Sequence, residues 1–110
     1  MSGDGGFAML MGDLITLTQA KLPVKVVIFN NSVLGFVALE MKAAGFVDTN
    51  VDLQNPDFAA MARAMGIFAR RVKDPGELPG AVKEMLSRLW RPRVLTTRFK
   101  DLRSNTPQSC

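Results

Sequence analysis

The residues best placed to do chemistry lie in two short segments, Gly3-Asp4-Gly5-Gly6 and Asn30-Asn31. Asp4 offers a carboxylate oxygen and Asn31 an amide oxygen. The turn after Asn31 adds a backbone carbonyl. Such oxygens suit Mg²⁺, which takes near-octahedral oxygen ligands and usually combines one or two protein carboxylates with phosphate oxygens. Glycines at 3, 5 and 6 let the backbone approach phosphates closely, and N–H groups that open a helix favour an anion. The combination is that of a divalent cation bridging a diphosphate. Either segment alone is ordinary, because a Gly-Asp-Gly-Gly run usually marks a turn and an Asn pair usually stops a strand. What matters is whether the twenty-six residues between Asp4 and Asn31 fold so as to bring the two together.

The intervening pattern does so. The glycine-rich start reads as turn, and Phe7 to Lys21 reads as a helix with Leu10, Leu14, Ile15 and Leu17 on a broad apolar face, stopped by Leu22-Pro23. Val24 to Phe29 is a β-branched and aromatic run suited to a strand buried on both faces. A right-handed crossover then places both turns at the carboxyl ends of neighbouring parallel strands, provided that a strand precedes Gly3. Ligands of open α/β sheets bind in that crevice.

Further along, Leu34 to Ala44 reads as a helix ended by Gly45, and Phe46 to Gln54 as a loop. Asn55-Pro56-Asp57 predicts a helix start with Asn55 as cap and Pro56 at the first helical position. Gly66 closes that helix, and Ile67 to Val72 is a short strand. Asp74 to Glu77 resembles a capping box opening a last helix to about Leu89, and Arg93 to Thr97 a final strand. Helices between buried strands argue for an α/β fold, a doubly wound parallel sheet incomplete at its N-terminus. The methionines at 9, 11, 41, 61 and 65 read as core filling.

Composition removes several function classes. The 110 residues suffice for one domain with a real core, and there is no histidine, so His-based metal sites and His-dependent triads are excluded. The single cysteine, Cys110, cannot form an internal disulfide and fits a reducing, cytoplasmic setting. No basic n-region marks a secretory signal, and the apolar stretches fall short of the roughly 20 residues a bilayer requires. Charge is unequal: residues 1–87 carry eight Lys/Arg against nine Asp/Glu, whereas residues 88–110 carry six against Asp101 alone. The basic character belongs to a tail that is expected to be solvated and in part disordered, with no nucleic acid as partner.

The spacing of Gly-Asp-Gly and Asn-Asn, with this structure between them, resembles the signature of thiamine-diphosphate-dependent enzymes. Residues 2–46 are similar almost throughout to the cofactor domain of pyruvate oxidase and pyruvate dehydrogenase (quinone), the latter above all in Asn31 to Val37 and Glu40-Met41-Lys42. Similarity fades in the last helix and is poor beyond Arg91. The resemblance implies that Asp4, the Asn31 side chain and the Val33 carbonyl ligate Mg²⁺. It implies that Gly5, Gly6 and the segment Asn31, Ser32, Val33, Leu34, Gly35, Phe36 and Val37 wrap the diphosphate. Phe36 would face the thiazolium on the side where substrate or flavin approaches, or else pack in the core.

At family level, the implied activity is oxidative decarboxylation of pyruvate to acetate by an oxidoreductase, with electrons passed through FAD to a quinone. FAD would belong to a different domain of the full-length flavoprotein, as would the glutamate that activates the aminopyrimidine. The full-length enzyme is expected to be a homo-oligomer, cytoplasmic and able to sit peripherally on the inner face of the cell membrane. Residues 1–90 are expected to form a partial cofactor-binding domain, and 91–110 a divergent basic tail with one edge strand. A truncated or frameshifted reading frame would explain both ends, and the chain alone would be marginally stable and inactive. Two other readings remain: an acetolactate-synthase-type carboligase fragment, and a non-catalytic phosphate-binding α/β module. A receiver-like module would need an acidic cluster at the strand ends, which this sequence lacks.

Overall fold

The computed structural model describes residues 1–88 and 90–98, with Arg98 described in its backbone alone. The part of the basic tail beyond Arg98, including its expected disorder, lies outside the described residues. The elements run β1 (Ser2–Gly3), α1 (Asp4–Met9), α2 (Leu14–Gln19), β2 (Lys25–Asn30), α3 (Gly35–Ala43), α4 (Phe58–Ala64), β3 (Phe68–Val72), α5 (Leu78–Leu86) and β4 (Arg93–Arg98). The strands form one parallel sheet in the order β1-β2-β4-β3.

Strand side chains alternate between two apolar layers, with Ile28 and Val94 turned to one and Val27 and Leu95 to the other. On one face Ile28, Ala69 and Val94 pack with Leu14 of α2 and with Phe58, Ala59 and Ala62 of α4. Phe7 of α1 meets Phe58 edge-on, with ring centroids 5.3 Å apart. On the other face Val72 and Leu95 pack with Ala81 and Met85 of α5. Helices thus cover both faces, as a doubly wound sheet requires. No helix among the described residues is long and apolar enough to cross a membrane.

Several sequence expectations need correction. The strand before Gly3 is present as Ser2–Gly3, which pairs with Ile28 and Phe29 of β2. The first helix starts at Asp4 rather than Phe7 and is interrupted by a 3-10 turn at Met11–Asp13. Gly5 and Gly6 fall in its first turn, where N–H groups need no intrahelical partner and glycine costs little helical bonding. The strand at 93–98 is not an edge strand. It lies between β2 and β3 and pairs with both, because the crossover through α5 returns the chain inside β3. Of the methionine set, Met11, Met61 and Met65 pack on the core, but Met9 is 75% exposed.

Candidate functional site

Asp4 opens α1 immediately after β1, and Asn30 ends β2, the neighbouring strand, so both arrive at the carboxyl edge of the sheet. Asp4 is buried, at 3% exposure. Its Oδ2 accepts two short hydrogen bonds, from the Ser32 backbone N–H at 2.7 Å and from Asn55 Nδ2 at 2.7 Å. Its Oδ1 has no hydrogen-bond partner among the described residues. One carboxylate oxygen is therefore held by the protein, and the other is free to meet a ligand.

The second turn is organised around Asn30. Its Oδ1 accepts from the Ser32 N–H (3.2 Å), the Ser32 hydroxyl (3.1 Å) and Asn55 Nδ2 (3.1 Å). Ser32 takes a left-handed backbone, φ +59°, which lets its N–H reach both Asp4 and Asn30. Asn31 Oδ1 accepts from the Val33 N–H at 3.2 Å, which folds the turn and leaves a second lone pair on that oxygen. A third segment completes the arrangement. Val33 bridges Asp52, the Leu34 N–H donates to the Val51 carbonyl, and the Leu53 N–H donates to the Ser32 carbonyl.

These turns enclose a cleft of about 500 Å³. Its lining includes Asp4, Gly5, Gly6, Asn31, Val33, Leu34, Gly35, Phe36 and Val37, joined by Gly3, Phe29 and Leu39. Every residue predicted for the site lines this one space except Ser32, which supports it from behind through Asp4. Phe36 is 85% exposed, so of its two expected roles core packing within this chain is the wrong one. A Cβ at Gly5 would stand 2.7 Å from Leu34 Cδ2 and 3.3 Å from Leu53 Cδ1, so a larger residue there would have to displace the end of the Leu34 side chain.

The N-terminus of α3 forms one wall of the cleft. Leu34, its N-cap, supplies no side-chain acceptor, so the first-turn N–H groups are left for an external acceptor. A helix start without its own cap is suited to an anion. Among the described residues no group of three or more Cys, Asp or Glu could hold a metal by itself. A cation here would need to share its ligands between Asp4, turn oxygens and an anionic partner.

Asn55 is the residue that sequence reasoning misplaced. It does not cap α4. Asp57 does, accepting from the Ala60 N–H at 3.0 Å, and Pro56 stands before the cap. The signal available was that Asp57, itself a favoured cap residue, directly precedes Phe58, the first apolar residue of the helical pattern, which frees Asn55 for another partner. A larger groove, about 860 Å³ and lined by Lys21, Phe68, Arg88, Trp90 and Arg93 among others, lies by the amino ends of β3 and β4 and contains none of these turn residues.

Residues 1–96 match the family described as "Thiamine pyrophosphate enzyme, C-terminal TPP binding domain". Over 84 residues the chain is 44% identical to a putative thiamine pyrophosphate-containing protein of Bacillus subtilis, covering 76% of this chain and 15% of that protein. It is 36% identical over 89 residues to a probable acetolactate synthase large subunit of Methanococcus aeolicus, covering 79% of this chain and 15% of that protein. A solved structure, the thiamine diphosphate-dependent 4-hydroxybenzoylformate decarboxylase of Rhodococcus jostii RHA1, superposes with a TM-score of 0.82 at 25% identity, over 89% of this chain and 19% of that one. The chain thus spans about 15% of the length of these two sequence relatives. With the motif, the sheet and the cleft in agreement with a family match over most of its length, this chain belongs to the thiamine pyrophosphate enzymes, as their C-terminal cofactor-binding domain.

Proposed function

We propose that the chain holds the diphosphate of thiamine diphosphate through Mg²⁺, for an enzyme that decarboxylates a 2-oxo acid. The observation that carries this reading is the free Oδ1 of buried Asp4 in a cleft shared with Asn31, Val33 and the uncapped start of α3. That donor set fits a metal diphosphate: a carboxylate and an amide oxygen for the cation, and backbone N–H groups for the phosphate oxygens. Asp4, the Asn31 side chain and the Val33 carbonyl are the proposed protein ligands. Gly5 and Gly6 would admit the diphosphate, and Phe36 would flank the reactive ring. When bound, the cofactor would supply the nucleophilic carbon and the electron sink that decarboxylation of a 2-oxo acid needs.

For the reaction of the whole enzyme, relatives named acetolactate synthase in an archaeon, in yeast and in Escherichia coli favour carboligation of 2-oxo acids. The oxidative reading, with FAD and a quinone as acceptor, rests only on the Asn31–Val37 and Glu40–Lys42 resemblance. The exposed Phe36 and the open cleft leave the cofactor site wet, so this chain would bind without turning over. Calorimetric titration with thiamine diphosphate, with and without Mg²⁺, tests the assignment. Metal-dependent binding that disappears in both Asp4→Ala and Asn31→Ala is the expected result. Binding unaffected by Mg²⁺, or retained in Asp4→Ala, would overturn it.

A further inference from the structure

We infer that Asn55 is a positioning residue for the cation ligand: it orients Asp4 so that Oδ1, and not Oδ2, is the oxygen offered to the metal. The inference deepens the diphosphate-binding reading and rests on it. Asn55 lies fifty-one positions from Asp4, in a segment that contributes nothing to the cleft lining. Its Nδ2 has two N–H groups, and both are used. One donates to Asp4 Oδ2 at 2.7 Å and the other to Asn30 Oδ1 at 3.1 Å.

The amide therefore ties the Asp4 turn to the Asn30 turn. Two acceptors face it, so only the nitrogen end of the amide can point that way. Together with the Ser32 N–H, Asn55 occupies Oδ2 and leaves Oδ1 as the open site. Without that amide the carboxylate could rotate, exchange its two oxygens and lose the fixed direction on which a near-octahedral ion depends. Hydrogen bonds that orient a metal ligand commonly change affinity by about 10- to 100-fold when removed.

The test uses the 110-residue chain with Mn²⁺ in place of Mg²⁺, followed by electron paramagnetic resonance during titration with thiamine diphosphate. Inorganic diphosphate binding is measured in parallel without metal, and thermal midpoints are recorded for each variant. Asn55→Leu has similar shape and no donor, and Asn55→Ser is too short to reach both acceptors. Both are expected to lose about 10- to 100-fold in metal-dependent affinity. Metal-free diphosphate binding, which depends on the α3 N–H groups, should stay within twofold. Asn55→Gln, which keeps the amide, should recover part of the loss.

Metal-dependent affinity unchanged in the Leu or Ser variant would overturn the inference, as would a parallel fall in metal-free binding. A wild-type chain that shows no metal-dependent binding would instead remove the diphosphate reading, and this inference with it.

Discussion

Arg93 and Phe68 stand directly opposite one another at the start of the β3–β4 ladder, with the Arg93 guanidinium carbon 4.4 Å from the centre of the Phe68 ring. Arg93 is buried, at 6% exposure, and its Nη1 donates to the Glu84 carbonyl in α5 at 2.7 Å, while its Nε has no partner. A buried cation is tolerated here because a ring face and a carbonyl replace part of its water. Arg93→Ala should therefore lower unfolding stability by about 2–3 kcal/mol, read from urea denaturation. A variant within 0.5 kcal/mol of wild type, a difference on the order of surface substitutions, would show that the pair contributes little.

Asp57 gives a pH prediction. The Ala60 N–H donated to its carboxylate holds its pKa below the ordinary 3.8, partial burial opposes this, and nearby Arg71 adds a smaller lowering. The folded value lies below the unfolded one, so the stability this group confers is complete above about pH 4 and is lost as pH falls through the lowered value. Replacing the cap, Asp57→Ala, should cost about 0.5–2 kcal/mol at pH 7. The gap between the two proteins in urea should narrow by pH 3. A gap that stays constant over that interval would mean that the cap acts without its charge.

Gly5 tests the close approach of the two turns. In Gly5→Ala the added carbon meets the end of Leu34, a flexible side chain that lines the cleft, and the backbone can stay where it is. Overpacking of this kind costs about 1–3 kcal/mol. If Leu34 relieves it by turning into the cleft, cofactor affinity should fall by roughly tenfold or more, at about 1.4 kcal/mol per decade. Calorimetry on Gly5→Ala and on the Gly5→Ala, Leu34→Ala double variant checks this, with recovery expected in the second. Equal affinity in wild type and Gly5→Ala would show that Leu34 moves away from the ligand.

Much of this was legible along the chain because it rests on short-range pattern. The run from Val24 to Phe29 announces a strand, although only Ile28 of it is buried and Val24 and Phe29 are exposed, so full cover on both faces is not met. Gly45 and Gly66, both at positive φ, mark the ends of α3 and α4. What stayed hidden depends on partners distant in sequence. Arg93-Val94-Leu95-Thr96-Thr97-Arg98 looks polar enough for a sheet edge, yet Arg93, Thr96 and Thr97 are all buried, and only the strand order shows why. Asn55 beside a proline has the composition of a cap. Its actual partners, Asp4 and Asn30, lie 51 and 25 positions away, beyond the reach of any local rule.

The bridge between Val33 and Asp52, with the flanking bonds from Leu34 to Val51 and from Leu53 to Ser32, has a consequence for chain length. It fixes the phase at which residues 51–53 pass the second turn, so the short stretch from Asp52 to Asn55 acts as a spacer of set span. Deleting a single residue there would shift Asn55 out of step with Asp4, although neither residue had been altered. Tolerance to indels in that stretch should consequently be as narrow as tolerance to substitution in the proposed cation ligands.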